Sequence, residues 1–269
     1  MLTPNLSEEL FPMTLSITRN KTIHQIIKAV LVAAFWLLLW YIAAKAIGKE
    51  LLLPSPLTVL KRLSELILTG VFWESTISSL FRIFAGIMIA SAAGAATALL
   101  TSRIQAIHDL LYPIIAVIRS TPIASFVILA LLWIGKDSLS VFISALIVFP
   151  VIWGNVGEGV KNINADLTEV AKIYRFPFSK RLNKLYIPSL MPYFISGFRT
   201  SIGLAWKAGI AAEVLANPEI SIGRQLYESK LYLETTDLFA WTVVVVLLSL
   251  VLDIVLMSAL KKLGRAYNV

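Results

Sequence analysis

Six apolar runs, at about residues 25–47, 77–100, 107–134, 139–160, 187–215 and 238–260, dominate the sequence, and few charges interrupt them. About 20 helical residues cross the hydrocarbon core of a bilayer, so each run is long enough to be a span. The pattern predicts an all-α membrane protein with six transmembrane helices. Composition agrees: 58% of residues are hydrophobic and 15% charged, where a soluble domain carries roughly a quarter charged. A water-soluble globule is excluded. Six spans in 269 residues leave no room for a catalytic domain, so an energy source or soluble sensor is expected from another chain.

The net charge of +8 would suggest nucleic acid in a soluble protein. In a membrane protein, basic residues gather on the cytoplasmic side. With both termini cytoplasmic, Arg19, Lys21, Arg103, Lys161, Lys172, Arg175, Lys180, Arg181, Lys184, Lys261, Lys262 and Arg265 fall inside. Only Lys49, Lys61, Arg62, Lys136, Arg224 and Lys230 fall outside. The bias predicts that topology and accounts for the charge without nucleic acid. There is no cysteine and there are two histidines, His24 and His108, so disulfides and thiol chemistry are excluded and a transition-metal site is not expected.

Residues 1–23 are mixed and polar and lack the pattern of a signal peptide, so they are expected to form a cytoplasmic tail and the first run to stay in the mature chain. Residues 24–264 then form the membrane domain and 265–269 a short tail. After the first run, Pro54-Ser55-Pro56 stops a helix. Leu57–Leu68 follows with apolar residues at 57, 60, 63, 66 and 67 against Lys61, Arg62, Ser64 and Glu65, which predicts a helix lying in the membrane interface.

Charges at membrane depth cost about 2.5–3.5 kcal/mol each on insertion scales, so they persist where they pair or line a polar cavity. In the fifth run, Gly197, Ser201, Ala205 and Gly209 repeat every four residues and make a stripe for close helix packing. Arg199, Gly203 and Lys207 repeat at the same spacing, offset by two residues and therefore on the far face. Either a polar or anionic solute passes that basic face, or the cations form buried ion pairs, for instance with Asp253 or Glu158. Asp253 is the lone acid inside the sixth run and is expected to be a structural partner rather than a proton relay.

In the third run, Arg119-Ser120-Thr121-Pro122 interrupts an apolar helix. Pro122 cannot donate to the carbonyl of Ile118, which leaves a free acceptor beside a guanidinium and two hydroxyls at mid-span. This marks a translocation path, the bland alternative being a Pro kink with Arg119 paired to a neighbour. Pro150, Gly154, Asn155, Gly157 and Gly159 make the fourth run a second flexible and partly polar helix. Gly86, Ala90 and Gly94 in the second run form another packing stripe. No enzyme chemistry is present. Gly135-Lys136-Asp137 lacks the rest of a phosphate loop, and there is no His-Glu-x-x-His, intramembrane aspartate pair or nucleophile elbow.

Between the fourth and fifth runs the chain reads DLTEVAKIYRFPFSKRLNKLYIPSLMP from Asp166 to Pro192. A helix is expected to start near Asp166 or Thr168, either of which suits an N-cap, with Glu169 in its positive first turn. Pro177 pushes Phe176 out of the α region, so the helix bends or stops there. A second basic piece, Ser179–Lys184, leads to Pro188 at the start of the fifth run. Helix, break and helix make a protrusion able to dock on a soluble partner.

This stretch resembles the cytoplasmic EAA loop of importer-type ABC permeases, Glu-Ala-Ala, three residues, Gly, nine residues, then Ile-x-Leu-Pro. Here Glu169-Val170-Ala171, Arg175 in the Gly place and Leu185-Tyr186-Ile187-Pro188 keep the spacing. Leu53-Pro54-Ser55-Pro56, Arg82, Arg119-x-x-Pro122 and Gly197-Phe198-Arg199 through Ala205-Trp206 to Ala212-Glu213 extend the likeness to the nitrate, sulfonate and taurine branch, over about residues 25–260. The resemblance implies the six-helix ABC importer permease fold in a bacterial cytoplasmic membrane. It also implies a homodimer with the pathway between subunits, a pair of cytoplasmic ATP-binding subunits holding the ATP and Mg, and an extracytoplasmic solute-binding protein or lipoprotein. It makes 166–187 the coupling segment, with Glu169, Val170, Ala171, Tyr174, Arg175, Phe176 and Pro188 coupling to the ATPase.

The translocation path is expected to include Arg119, Ser120, Thr121, Asn155, Arg199, Gly203 and Lys207. Lys207 favours a small anionic solute such as a sulfonate, taurine, nitrate or bicarbonate. Related permeases also carry thiamine-precursor pyrimidines and other vitamin-like solutes. An ion-gradient secondary transporter would show inverted repeats and intramembrane acids for coupling. A purely structural subunit would leave the basic face and the break at Pro122 without a role.

Overall fold

The structure is a computed structural model that describes the backbone of residues 11–266 and the side chains from residue 27 onward, except Lys172, Phe178, Lys261 and those from 263 on. The fold is all-helical, with no strand among the described residues. Helix α1 (Phe11–Ile47) begins well before the first apolar run, and the expected tail up to residue 10 lies outside the described residues. Of α1, the stretch Ile27–Ile47 is almost wholly exposed in the single chain, as befits a peripheral span facing lipid.

Helix α2 (Pro56–Ile67) is the expected interface helix. Ser55 caps it by accepting from the Thr58 N–H at 3.2 Å, Pro56 opens it, and Val59, Leu63 and Leu66 bury one face. Helix α3 (Gly70–Thr101) then runs the length of the bundle, with Thr69 as its cap.

The third apolar run is interrupted after Ser120, as Pro122 announces, and more sharply than by a kink: α4 (Gln105–Ser120) and α5 (Ile123–Ala130) meet at a bend of 107°. His108 near the start of α4 stacks on Trp153, and Arg119 at its end reaches Pro150, so both ends of α4 meet the same region of the next helix. That helix, α6 (Lys136–Lys161), passes through Pro150 without a break.

After α6 come α7 (Ala165–Ile173), a turn, and α8 (Phe178–Arg181). Helix α8 continues through a wide π turn at Leu182–Tyr186 into α9 (Ile187–Ala216). Pro188 accounts for that turn: its ring crowds the carbonyl four residues back and it has no N–H, so the helix widens and Ile187 donates to Leu182 instead. Helices α10 (Ile222–Leu231) and α11 (Thr235–Ala266) complete the chain.

The core is a sandwich of α3, α6 and α9. Between α3 and α6, a Cβ on Gly94 would sit 3.1 Å from Ile152 Cβ, and Gly86 packs directly on the Val141 carbonyl. Between α6 and α9, Gly197 lies on Asn155 and the Ser144 hydroxyl donates to the Ala205 carbonyl at 3.3 Å. Both small-residue stripes read from the sequence are therefore packing surfaces. The pairings also give direction: α3 and α6 run the same way, and α9 runs back along the other side of α6. Phe72 stacks on Trp241, and the Trp206 indole donates to the Val245 carbonyl at 3.1 Å, so α11 runs with α3.

One end of the bundle thus gathers α2, α10 and the starts of α3, α6 and α11. The other gathers α7, α8 and the start of α9. At the α10 end, Arg62 clasps Asp237 through Nε at 2.6 Å and Nη2 at 2.8 Å, which ties α2 to α11 and raises the guanidinium pKa above its ordinary value.

Among the described residues, four helices (α1 from Ile27, α3, α6 and α11) are long and apolar enough to cross a membrane, or five if the bent pair counts as one. Helix α9 is 30 residues long but is not among them, because Arg199, Lys207 and Glu213 together with its prolines and serines dilute its apolar character.

Candidate functional site

The two faces of α9 separate as its spacing requires. Gly197, Ser201, Ala205 and Gly209 are buried, while Arg199 and Lys207 are exposed and Gly203 is half-buried in the single chain. Ser196, Thr200 and Ala211 share that open side. No salt bridge or hydrogen bond holds Arg199 or Lys207 among the described residues. Asp253 is exposed and unpaired there, and the Glu158 carboxylate accepts from Asn162 at 3.1 Å. The buried-pair alternative is therefore not seen among the described residues. Nothing packs within 4 Å of a Cβ built on Gly203.

Arg119 takes the bland role within the chain. Its Nη2 donates to the Pro150 carbonyl at 2.6 Å and lies against Gly154, where only a missing side chain leaves room for it. Ser120 and Thr121 turn back on their own helix, and both hydroxyls donate to the Val117 carbonyl, at 3.1 and 2.8 Å. The expected cluster around the Ile118 carbonyl is not formed, because the chain leaves α4 at Ser120 and the capped acceptor is one residue earlier. Asn155 donates to Val151 at 2.8 Å and packs on Gly197, within the α6–α9 contact. The candidate path residues are thus dispersed: Arg119 lies against α6, Ser120 and Thr121 turn back on α4, Asn155 lies in the α6–α9 contact, and Arg199, Gly203 and Lys207 share the open side of α9.

At the α7 end, the cap of α7 is Asn164, earlier than either expected residue. Its Oδ1 accepts from the Asp166 and Leu167 N–H groups at 2.8 and 3.3 Å. Leu167, Val170, Ile173 and Tyr174 are exposed on one side of α7, at 52, 43, 70 and 71%, whereas Ala171 is buried toward the bundle. Glu169 is exposed beside this apolar stripe. Arg175 stands at φ 47°, the left-handed region favoured by glycine, and the Phe176 N–H returns to the Ala171 carbonyl at 3.0 Å. The turn that a glycine would make is therefore made by arginine. Lys180 lies over the ring of Phe176, 4.3 Å from its centre. Pro188 is half-buried in the first turn of α9. A cavity of about 640 Å³ lies between α7 and the bundle, walled in part by Leu100, Arg103, Ile163, Thr168 and Tyr186.

A third constellation, at the α10 end, escaped the sequence reading. Glu213 is 1% exposed, and its Oε2 accepts from the Ser79 hydroxyl at 2.6 Å and the Gly223 N–H at 3.3 Å. Ser79 in turn accepts from the Ile222 N–H at 2.9 Å. Arg82 donates to Asp137 and to the Ile220 carbonyl, both at 3.0 Å, and stands 4.0 Å from Glu213 Oε1. The signal was an acid near the end of an apolar run, where a charge persists only with partners. Asp253, the acid singled out instead, is exposed. Among the described residues no group of three or more His, Cys, Asp or Glu could hold a metal.

Comparison with known proteins identifies the family. Residues 82–269 match the family described as binding-protein-dependent transport system inner membrane component. The chain is 25% identical over 219 residues to a permease protein named for aliphatic sulfonates transport in Bacillus subtilis, covering 81% of this chain and 79% of that one. It is 29% identical over 234 residues to a bicarbonate transport system permease protein of Synechococcus elongatus, covering 81% and 82%. With the bicarbonate permease protein of Synechocystis the identity is 33% over 164 residues, 60% of this chain and 57% of the other. An all-helical bundle whose apolar helices suit a bilayer, matched by the family over more than two thirds of its length, belongs to the inner-membrane permease components of binding-protein-dependent ABC transport systems.

Proposed function

We propose that this chain is one half of the membrane pore of an ATP-driven importer of small anionic solutes. The observation that carries the proposal is the uninterrupted helix from Phe178 to Ala216. It starts at the protruding segment, bears Arg199 and Lys207 on its open face, and ends at the Glu213 junction. A push on α7 passes through the turn at 174–177 into this one continuous helix and so to the charged stripe.

In this reading the chain crosses the membrane six times, as α1, α3, the bent pair α4–α5, α6, α9 and α11, with both termini and α7 in the cytoplasm and α2 and α10 outside. The alternating directions of α3, α6, α9 and α11 support that topology, as does the excess of basic residues at the α7 end. Residues 24–264 form the permease domain and 166–187 the coupling segment. The stripe of Leu167, Val170, Ile173 and Tyr174 docks in a groove of a cytoplasmic ATP-binding subunit, with Glu169 and Arg175 at its edges. ATP and Mg belong to that subunit. A solute-binding protein delivers solute to the α10 end.

Arg199 and Lys207 cannot face lipid at low cost. In a homodimer the open sides of two α9 helices face one another, so four cations line the path. The named substrates of the relatives, bicarbonate and sulfonates, are anions, which supports the charge of the solute. ATPase closure moves α7, α9 follows, and the path opens outward to take solute, then inward on reset. Glu169→Arg tests the coupling role: the complex is expected to assemble and hydrolyse ATP with uptake lost, whereas wild-type uptake would refute it.

A further inference from the structure

The junction around Glu213 joins parts of the chain far apart in sequence: Ser79 and Arg82 of α3, Asp137 at the start of α6, the end of α9, and the first turn of α10. Its hydrogen bonds surround the fully buried Ser79 and Glu213, while the Ile222 side chain beside them packs in the hydrophobic core. The first N–H groups of a helix have no partner of their own. Here the Ile222 N–H goes to Ser79, the Gly223 N–H to Glu213, and the Arg224 N–H to the cap Ser221 at 3.0 Å. A carboxylate at a helix N-terminus is further favoured by the helix dipole. Gly223 allows the approach, since the first turn of α10 rests on the Glu213 Cβ and the α9 backbone.

An apolar contact of this size would resist opening, because separating it exposes hydrocarbon to water. This junction exchanges its hydrogen bonds for water at small net cost, so the Ile222 side chain is the main apolar surface that opening exposes. The seal is therefore firm when dry and releases once water reaches it. Resting on the orientation proposed above, in which α10 lies outside, we infer that Glu213 is a positioning residue for transport: it latches the first turn of α10 across the outer ends of α3 and α9, and its release opens that end to solute.

The absence of cysteine makes the test direct. Ile222→Cys places a thiol in the junction, at a residue with 0% exposure, and Ala205→Cys places one in the α6–α9 packing, also at 0%. Each is labelled with maleimide in the full complex with its ATPase and binding protein, at rest and during turnover. Labelling at 222 is expected to rise at least tenfold on turnover, and Glu213→Gln, which keeps the shape and removes the charge, is expected to raise the resting rate at 222 at least tenfold with 205 unchanged.

Equal rates with and without Glu213→Gln would overturn the latch, as would a parallel rise at 205, which reports general loosening. Should Glu213→Ala fail to assemble, the Gln variant still decides. ATP-dependent uptake by the unmodified complex, with residue 222 closed throughout turnover, refutes the latch alone; no ATP-dependent uptake at all refutes the permease reading and the latch with it.

Discussion

The backbone N–H of Phe176 donates to the carbonyl of Ala171 at 3.0 Å, wrapping the end of α7 around Arg175 at φ 47°. A side chain at that φ costs about 1 kcal/mol or more relative to glycine. Arg175→Gly is expected to stabilise the turn by about 1 kcal/mol, a factor of about 5 in its opening equilibrium. Hydrogen exchange of the last-turn amides of α7 measures this, with slower exchange in the Gly variant. Arg175→Val, β-branched and ill suited to positive φ, is expected to speed it.

Gly86 and Gly157 sit in comparable helices and should respond oppositely to alanine. At Gly86 the new methyl would collide with the Val141 carbonyl oxygen, a backbone atom that cannot step aside. Overpacking of this kind costs about 1–3 kcal/mol. At Gly157 nothing lies within 4 Å, so alanine there gains up to about 1 kcal/mol of helix preference. Thermal unfolding in detergent is expected to rank Gly157→Ala at or above wild type and Gly86→Ala below it.

The all-helical architecture and its packing faces were largely legible because apolar runs and small-residue stripes are local properties of the chain. Gly86, Gly94, Gly197 and Gly209 declare their packing by spacing alone. The bend after Ser120 was not legible, since Pro122 announces a break without its angle, and the 107° turn depends on α5 finding Ala208 and Ala212. Asn164, Asp166 and Thr168 are all competent caps, and the choice among them rests on where α6 ends. The Glu213 junction was hidden for a different reason. Its donors come from residues 79, 82, 222 and 223, and no local pattern links positions 134 residues apart.

Lys207 separates a path residue from a structural one. It is exposed and unpaired in the single chain, so Lys207→Met should leave assembly and thermal stability within about 0.5 kcal/mol of wild type. Uptake of an anionic solute is expected to fall at least tenfold, while ATP hydrolysis by the assembled complex persists. Loss of assembly would show instead that the cation pairs with the second copy.

Reconstitution in proteoliposomes tests the central claim, that this chain is a pore driven by a partner's ATP through the helix beginning at Phe178. The chain is combined with its ATP-binding subunits and solute-binding protein, and uptake is followed with ATP on the α7 side. Uptake is expected to require ATP and both partners and to be stopped by vanadate. Uptake by the chain alone, driven by an ion gradient and insensitive to vanadate, would contradict it.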